Sequence, residues 1–415
     1  MKIVVFEDHG MTQLFPITTG RLGYAITCGS YRLVDWLRTF GLPLHGVVRP
    51  HLQAIQKIDY PDLTPTESSS SQPTLLVNAR MIPSIANWKK LQQWIASPRP
   101  GVIRQNDNVC AAMLPAGSPA PTSQLEPDRI ADYFDYAGLA SLKSLDFDLP
   151  LFVYPHDVVL QNMQLLKQNL EYRIAQGGYQ EIADGVFSAE GATLGAYSVS
   201  NTKQGPILLD KKATVGPFCY LSGPAYIGPN ARINEHSAIK DAVSLGHTTK
   251  IGGEVEASVI EPYTNKQHHG FLGHSYLGSW INLGAGTCNS DLKNSYGIVK
   301  MEYGGEQVSI GMQFFGCVMG DYAKTAINTG IFTGKVIGAC SMMYGFVTTN
   351  VPSFVNYARL FGQVTELPAE IMIATQQRMF ARRNVTQRPC DMDLIQAMYM
   401  LTRNERQLAG EPLSL

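Results

Sequence analysis

The residues best suited to do chemistry lie in one stretch, 268–294, which reads HHGFLGHSYLGSWINLGAGTCNSDLKN. It holds three histidines, His268, His269 and His274, followed by a turn rich in glycine and asparagine. An imidazole with a pKa of about 6.5 can take up a proton at neutral pH, so each histidine is a candidate general base. On a strand, His269 would point away from His268, and His274 would stack one face further on. A histidine can also be purely structural, so residue type alone leaves the choice open.

The stretch follows a segment whose aliphatic residues recur at every sixth position. Neither an α-helix nor a plain β-strand has this period. A coil with three flat faces does: the aliphatic residue points inward, and glycine or another small residue takes the corner. Three hexads make one turn, and the turns stack into a parallel β-helix. The strands of an ordinary sandwich would not keep this constant spacing. The positions are Leu209, Val215, Leu221, Ile227, Ile233, Ile239, Leu245 and Ile251.

We predict that the β-helix covers residues 186–350, with interruptions. Its first turn is less regular and includes Leu194 and Gly195, and breaks in the register are expected at Glu261–His269 and Cys288–Gly305. We expect these insertions to project outward and to carry function. The period resumes at Phe271, Leu277 and Leu283, and again at Met319, Thr325, Ile331, Ile337 and Met343.

The residues on either side of the coil differ from it in pattern. Residues 1–185 alternate apolar runs with amphipathic segments, which predicts an α/β domain with a mostly parallel sheet. Residues 351–415 follow Pro352 and are predicted to form a helical cap for the open end of the coil. The expected strands are Ile3–Phe6, Thr74–Asn78 and Val109–Leu114, the expected helices are Tyr31–Phe40, Ser84–Ile95, Asp157–Gln176, Ala369–Arg383 and Asp391–Leu408, and Leu63–Pro73 is an expected polar loop.

Composition limits the class of protein. The 415 residues are 45% hydrophobic and 16% charged, which is typical of a globular protein with two or three domains. A net charge of −1 argues against a nucleic-acid partner, and no apolar run reaches the length of a membrane span. The seven cysteines are scattered without a CxxC pair, and the N-terminus reads as a first strand rather than a signal peptide. We therefore expect a cytoplasmic protein.

A longer pattern begins at His268. It is H-x-x-[aromatic]-L-G-x-x-x-[ILV]-G-x-x-[ILV]-N-[IL]-G-A-G-T, and with it the chain resembles the acetyltransferase half of bacterial GlmU. GlmU is the bifunctional glucosamine-1-phosphate acetyltransferase and N-acetylglucosamine-1-phosphate uridyltransferase. The chain is more similar still to a GlmU-related family of sugar-phosphate nucleotidyltransferases, through Leu14–Arg21, Tyr154–Asp157, Met319–Thr325 and the segment Ser290–Asn294. The pattern is matched without a gap at His268, Phe271, Leu272, Gly273, Leu277, Gly278, Ile281, Asn282, Leu283, Gly284, Ala285, Gly286 and Thr287.

The resemblance implies a sugar-nucleotide biosynthesis enzyme. A left-handed β-helix would transfer an acetyl group from acetyl-CoA to an amino sugar 1-phosphate such as glucosamine-1-phosphate. The N-terminal domain would transfer a nucleotide from UTP with Mg²⁺, leading to UDP-N-acetylglucosamine. It further implies a homotrimer with acyl-donor sites between neighbouring coils. The implied roles are His268 as general base, Phe271, Asn282, Asn289 and Lys293 at the sugar phosphate, and the backbone amides of Gly284, Ala285, Gly286 and Thr287 at the acyl donor.

Two departures from the family stand out. Glu256 occupies the position of a basic residue that binds the sugar phosphate, and a carboxylate would repel that group unless Lys250 or Lys266 replaces the cation. In the N-terminal domain, the loop after the first strand has a single glycine, and Arg80 follows the strand where the family has a metal-binding aspartate. The remaining metal candidates are Asp8 and Asp157, and Arg21 and Arg80 are candidates for nucleotide phosphates.

Two alternatives stay open. The chain can be a sugar-phosphate nucleotidyltransferase alone, with a β-helix that serves trimer assembly and an acetyltransferase site that Glu256 has disabled. It can also be a non-enzymatic protein that senses sugar phosphates or acts as a scaffold. Binding of acetyl-CoA separates the first reading from these two, and turnover of a nucleoside triphosphate separates the two from each other.

Overall fold

The computed structural model describes residues 1–63, 72–118, 130–136 and 138–409. Most of the predicted polar loop at 63–73 therefore lies outside the described residues. The chain divides into two compact units. The first consists of Met1–Leu14, Arg21–Ile26 and Tyr31–Tyr154, and the second of Phe15–Gly20, Thr27–Ser30 and Pro155–Leu415.

The first unit is built on a mixed sheet. Its strands are β1 (Lys2–Phe6), β2 (Leu44–Val47), β3 (Thr74–Asn78), β4 (Gly101–Gln105) and β5 (Asn108–Leu114), in the order β2-β1-β3-β5-β4. The strand β1 pairs in parallel with β2 and β3, whereas β5 runs antiparallel to β3 and β4. The accompanying helices are α1 (Leu33–Arg38), α2 (Gln53–Asp59), α3 (Ile85–Ala96) and α4 (Ile130–Tyr136).

The three predicted strands of this unit are confirmed, but the expectation of a mostly parallel sheet is only half right. The edge strand β2 was missed, and so was the hairpin of β4 and β5. Residues 106 and 107 form its two-residue turn, and Asn106 adopts a φ of 52°, a left-handed conformation that asparagine tolerates. This tight connection reverses the chain and places an antiparallel pair at one edge of the sheet.

The main segment of the second unit, Pro155–Leu415, starts with the helix α5 (His156–Ala175), close to its predicted bounds, and continues into a β-helix. Three parallel sheets form its faces: β7, β10, β13, β16, β19, β22, β26 and β29 in the first, β8, β11, β14, β17 and β20 in the second, and β9, β12, β15, β18 and β21 in the third. Single-residue bridges of Asn282 to Asn265 and to Lys324 carry the second face on to β27 and β30. The strands are β6 (Gln180–Ala183), β7 (Val186–Ser188), β8 (Thr193–Leu194), β9 (Val199–Asn201), β10 (Ile207–Leu209), β11 (Thr214–Val215), β12 (Tyr220–Ser222), β13 (Ala225–Ile227), β14 (Arg232–Ile233), β15 (Ala238–Lys240), β16 (Val243–Leu245), β17 (Lys250–Ile251), β18 (Glu254–Glu256), β19 (Val259–Ile260), β20 (Asn265–Lys266), β21 (Phe271–Gly273), β22 (Tyr276–Leu277), β23 (Cys288–Asn289), β24 (Lys300–Tyr303), β25 (Glu306–Ser309), β26 (Cys317–Met319), β27 (Lys324–Thr325), β28 (Gly330–Ile331), β29 (Lys335–Ile337), β30 (Met342–Met343) and β31 (Phe346–Val347).

The period of six places one apolar side chain per face inside the coil, as predicted. All eight aliphatic residues from Leu209 to Ile251 are buried in one continuous core. The glycines that follow them allow successive turns to approach closely, because a Cβ on Gly228 would lie 2.4 Å from the carbonyl oxygen of Leu245. The corners are not reserved for small residues, however. Phe218 and His236 adopt left-handed conformations there, and their rings stack along the coil.

The predicted interruption at 261–269 is wrong. The strand β20 lies inside it and pairs in register with β17. The hexads shorten after Ile251, so that Val255, Ile260, Lys266 and Leu272 take successive inward positions and Phe271 faces outward. A lysine at an inward position hides the turn from a search for apolar periodicity.

The second interruption is real. Residues 290–316 leave the coil after β23 and carry the antiparallel hairpin of β24 and β25. At the far end the repeats continue beyond Pro352, because β32 (Val355–Ala358) pairs with β30 and then with the antiparallel β33 (Gln363–Glu366).

The C-terminal helices are α6 (Ala369–Ala381), α7 (Pro389–Leu401) and α8 (Arg403–Ala409). The helix predicted at Asp391–Leu408 is therefore two helices, α7 and α8. The helix α6 lies along the side of the coil, where Phe380 packs on Trp280 with ring centroids 4.4 Å apart. Among the described helices, none combines the length and the apolar character that a membrane span needs. Short 3-10 helices occur at His9–Leu14, Gly23–Ala25, Pro50–Leu52, Pro61–Leu63, Leu139–Ser141 and Arg359–Phe361.

Candidate active site

His268 projects from the corner between β20 and β21, and its side chain is exposed. The corner is held from inside the coil by Lys266, which is 2% exposed. Its Nζ donates hydrogen bonds to the carbonyl oxygens of Gly252 at 2.7 Å, His268 at 3.1 Å and Gly270 at 2.7 Å. Burial lowers the pKa of this lysine to about 8. The three donors of an ammonium group are all used, so Lys266 fixes the backbone that presents His268.

The glycine-rich turn at 284–287 is the next corner of the coil, stacked on the histidine corner. The amide of Gly286 donates to the carbonyl of His269 at 3.1 Å, and a Cβ on Gly270 would lie 2.1 Å from the carbonyl oxygen of Thr287. The amides of Gly284 and Thr287 are also used inside the coil. The amide of Ala285 has no acceptor among the described residues, which leaves it available to an incoming oxygen atom.

The two asparagines have different surroundings. Asn289 is buried: its Oδ1 accepts from the amide of Gly273 at 2.9 Å, and its Nδ2 donates to the carbonyl of Gly273 at 3.0 Å. Its side chain thus holds the strand β21 and is not presented to a ligand, which corrects the expected sugar contact. Asn282 is exposed on the second face, and it lines a cleft beside α6.

Phe271 and Lys293 lie on different segments, the strand β21 and the excursion after β23. Phe271 is partly exposed on β21, beside the His268 corner. Lys293 lies in the excursion after β23, where its Nζ donates to the carbonyl of Ile298 at 2.9 Å. That bond stays within the loop, so the ammonium group remains close to solvent.

His274 is the histidine with a carboxylate partner. Its Nδ1 lies 2.9 Å from Oδ2 of Asp291, and both side chains are largely buried. A carboxylate that accepts a hydrogen bond from one ring nitrogen selects the tautomer of the imidazole and orients the ring. His268 has no such partner among the described residues. The pairing of His274 with Asp291 was not expected, and it makes His274 the competing candidate for a base.

Glu256, which departs from the family pattern, does face a cation. It lies opposite Lys240 in the register of β15 and β18, with Lys240 Nζ at 3.9 Å from its Oε2. Lys240 also contacts Glu254 directly. The lysine is therefore shared by two carboxylates. Neither Lys250 nor Lys266 compensates at this position, because Lys266 points into the coil and Lys250 lines the cleft beside α6.

In the first unit, the roles of Asp8 in metal binding and of Arg80 in phosphate binding stay predictions, and the structure pairs the two residues with each other. Arg80 donates to the Asp8 carboxylate from Nε at 2.8 Å and from a terminal nitrogen at 2.7 Å, and Asn78 donates to it as well. Arg80 is almost fully buried and also donates to the carbonyl of Phe152. A buried, bidentate pair of this kind positions the loop after β1.

The roles of Asp157 in metal binding and of Arg21 in phosphate binding stay predictions. Asp157 stands in the first turn of α5, with Oδ1 at 3.6 Å from Nε2 of His156, whose other ring nitrogen is 3.0 Å from the Tyr303 hydroxyl. Arg21 accepts a hydrogen bond from Arg49 through its carbonyl oxygen. Within the described residues, no group of three or more histidine, cysteine, aspartate or glutamate side chains is arranged to hold a metal ion.

Comparison with known proteins agrees with this architecture. Residues 3–176 match a family model described as sugar nucleotidyl transferase. A bifunctional sugar-1-phosphate nucleotidylyltransferase/acetyltransferase of Sulfurisphaera tokodaii is 30% identical over 149 residues, which is 35% of this chain and 37% of that protein. A bifunctional protein GlmU of Cupriavidus pinatubonensis is 30% identical over 115 residues, 27% of this chain and 24% of that protein. The matches thus span less than two fifths of either relative.

Among solved structures, a UDP-N-acetylglucosamine acyltransferase of Francisella novicida covers 56% of this chain and 79% of its own, with 16% identity and a TM-score of 0.24. A TM-score this low carries no argument about the fold, so the description of the coil depends on its own strand pairings. The chain has the plan of a region that matches a sugar nucleotidyl transferase model, joined to a parallel β-helix of hexapeptide repeats. Together, the family model and the bifunctional relatives support a GlmU-like family.

Proposed function

We propose that the β-helix transfers the acetyl group of acetyl-CoA to the amino group of an amino sugar 1-phosphate, with glucosamine-1-phosphate as the first candidate. The observation that supports this is the pair of stacked corners. One presents the exposed imidazole of His268, the other presents the free amide of Ala285, and the bond from Gly286 to His269 joins them. A base beside a hydrogen-bond donor for an oxyanion is what acyl transfer requires.

In this proposal His268 takes a proton from the amino group of the sugar as the nitrogen of that amino group attacks the thioester carbon. Negative charge develops on the thioester oxygen, which accepts a hydrogen bond from the amide of Ala285. The new carbon–nitrogen bond forms as the carbon–sulfur bond breaks, and the thiolate of CoA leaves with the proton returned by His268. Asn282, Phe271 and Lys293 are the proposed contacts of the acceptor, and Asn289 supports them from inside the coil.

We further propose that the first unit transfers a nucleotide from UTP, a proposal that rests on the family model over residues 3–176. Mg²⁺ is implied by that family. Because Asp8 is bound by Arg80, the described residues do not form a Mg²⁺ site around Asp8. A homotrimer in the cytoplasm, without nucleic-acid or membrane partners, completes the proposal. Light scattering tests the trimer, and a monomeric mass would contradict it.

The test of acetyl transfer is the release of free thiol from acetyl-CoA with glucosamine-1-phosphate as acceptor. We expect the His268→Ala variant to lose turnover by about two orders of magnitude or more, the usual contribution of a general base. His269→Ala is the matched control, because His269 is also exposed and takes part in the coil through its backbone. Equal turnover of both variants would contradict the role of His268.

The pairing of His274 with Asp291 favours a second candidate base. If His274 takes the proton, His274→Ala and Asp291→Asn both lose turnover, whereas His268→Ala retains it. If no variant and no wild-type protein turns over acetyl-CoA, while UTP and a sugar phosphate yield pyrophosphate, the chain is a nucleotidyltransferase with a coil for assembly. Absence of both reactions would leave a sensor or scaffold.

A further inference from the structure

A cleft of about 240 Å³ lies in the second unit, between the second face of the coil and the helix α6. Its walls carry the cations Lys250 and Lys324 from the coil, and Arg382 and Arg383 from the end of α6. No aspartate or glutamate lines it. Four cations around one cavity, with no acid among the lining residues, form a strongly positive site.

The known contacts of these cations leave their charge uncompensated. Lys324 Nζ donates to the carbonyl of Tyr322 at 2.8 Å, and Arg383 donates to the side-chain oxygen of Asn265. Both acceptors are neutral. None of the four cations forms an ion pair within the part of the chain that is described.

The pKa values of the two lysines are both lowered, that of Lys250 chiefly by repulsion and that of Lys324 by burial. The nearby Arg383 guanidinium, followed by burial, lowers the pKa of Lys250, and burial lowers the pKa of Lys324 to about 8. Like charges that remain close together without a counter-charge destabilise the free protein. A bound anion would relieve that repulsion.

The coil arranges the polar groups in a column. Register pairs Lys250 with Asn265, Asn265 with Asn282, and Asn282 with Lys324. Neighbouring strands lie about 4.8 Å apart, so the backbones of the two end lysines are three strand spacings, roughly 14 Å, apart along the axis of the coil. Two amide side chains lie between them. The column is longer than a single phosphate needs and offers donors along its length.

An aromatic stack packs α6 against the coil. The rings of Tyr263 and Trp280 stack 4.2 Å apart with an interplanar angle of 2°, and Phe380 of α6 packs on Trp280 with ring centroids 4.4 Å apart. Arg383 is held further by its hydrogen bond to the side-chain oxygen of Asn265, whereas the side chain of Arg382 is exposed. The stack therefore places the end of α6, with its two arginines, beside the lysines of the coil.

We propose that this cleft binds a diphosphate group. Its four cations outnumber the two negative charges of an esterified diphosphate and can pair with both phosphates, and its column of amides suits the length of a diphosphate better than that of one phosphate. The diphosphate can belong to a coenzyme such as CoA or to a nucleoside diphosphate sugar, which share this chemistry. The cleft shares Asn282 with the proposed acetyl transfer, and a diphosphate that belongs to CoA would rest on that proposed function. The four cations themselves take part in none of the steps proposed above.

The probe is inorganic pyrophosphate, measured by calorimetry and by the fluorescence of the protein, since Trp280 lines the cleft. We expect Lys250→Gln and Arg382→Gln each to weaken binding about tenfold or more, as the loss of one charge-assisted bond would do. The control is Lys212→Gln, which removes one exposed positive charge from a corner of the coil that does not line the cleft. Its binding should equal that of the wild type. Thermal unfolding of each variant separates loss of the site from loss of the fold, and Arg382→Lys should retain most of the affinity.

Separate arms identify the source of the diphosphate. CoA and UDP-N-acetylglucosamine are titrated alone, and then in competition with pyrophosphate. The ligand that belongs to the cleft binds tighter than pyrophosphate, displaces it, and weakens in the same two variants. Absence of pyrophosphate binding to the wild type, equal binding by Lys250→Gln and Lys212→Gln, or equally tight binding of orthophosphate would overturn the proposal. His268→Ala should bind pyrophosphate normally, so failure of acetyl transfer and failure of this site remain distinguishable.

Discussion

Replacement of Lys266 by methionine tests how the coil presents its candidate base. The new side chain has a similar length and is apolar, as an inward position of the coil requires. It cannot donate to the three carbonyl groups that Lys266 holds. Gly270 keeps a second donor, because its carbonyl also accepts from the amide of Glu254 at 3.1 Å. Gly252 and His268 lose the donor that the structure gives them.

The expected loss follows from these two carbonyls. The hydrogen bond to Gly252 is buried, and a buried carbonyl without a donor costs about 1–3 kcal/mol. The bond to His268 is only partly buried, so water replaces much of it and about 1 kcal/mol is lost there. Removal of the ammonium group also removes the cost of its desolvation, which offsets part of the loss. We expect Lys266→Met to lower the free energy of unfolding by about 2 kcal/mol.

Denaturant unfolding measures this change, and Ile251→Met is the matched control. Ile251 occupies the same inward column one turn earlier, in register with Lys266, and an apolar exchange of similar volume costs less than about 1.5 kcal/mol. In the thiol-release assay, Lys266→Met should lower kcat more than it raises KM, because the corner of His268 loosens. A variant as stable as Ile251→Met, with unchanged kcat, would refute the positioning role of Lys266.

Three further predictions concern charged groups. Binding of pyrophosphate to the cleft should weaken as pH rises through about 8, because Lys324 has a pKa lowered to about 8 in the free protein and must be protonated to pair with the anion. Titrations of pyrophosphate at pH values below and above 8 check this. The Lys324→Gln variant should show a smaller pH dependence. Asp8→Asn should destabilise the first unit by about 3–5 kcal/mol, because it leaves the charge of Arg80 buried without its partner. Chemical unfolding measures this loss. The double variant Asp8→Asn, Arg80→Met should recover part of the lost stability. Asp291→Asn should shift the pH profile of kcat if His274 is the base and leave the profile unchanged if His268 is.

Much of the fold was readable from periodicity, since a constant spacing of six needs only local geometry. The buried aliphatic residues from Leu209 to Ile251 and from Met319 to Met343 follow it directly. The turn at 261–269 was misread because Lys266 points inward, and a lysine is unfavourable there unless carbonyl groups surround it. Those carbonyls belong to Gly252, His268 and Gly270, and only the three-dimensional coil brings them around one ammonium group.

The site was readable in part. The motif identified the corner of His268 and the turn at 284–287, which the structure stacks together. The resemblance implied a sugar contact for both Asn289, whose amide is used inside the coil, and Asn282, whose amide is exposed, although Asn289 lies six residues after Leu283 and so at an inward position of the register. Contacts between distant segments could not be predicted from the sequence. Asp8 and Arg80 are 72 residues apart, and the residues that line the cleft lie between positions 250 and 383.

The most direct test of the account is thiol release from acetyl-CoA with glucosamine-1-phosphate, in wild type, His268→Ala and His269→Ala. The account predicts turnover in the wild type and in His269→Ala, and its loss in His268→Ala. Turnover that survives in His268→Ala would contradict the assignment of the base. Absence of turnover in a correctly folded wild type would contradict acetyl transfer to this acceptor.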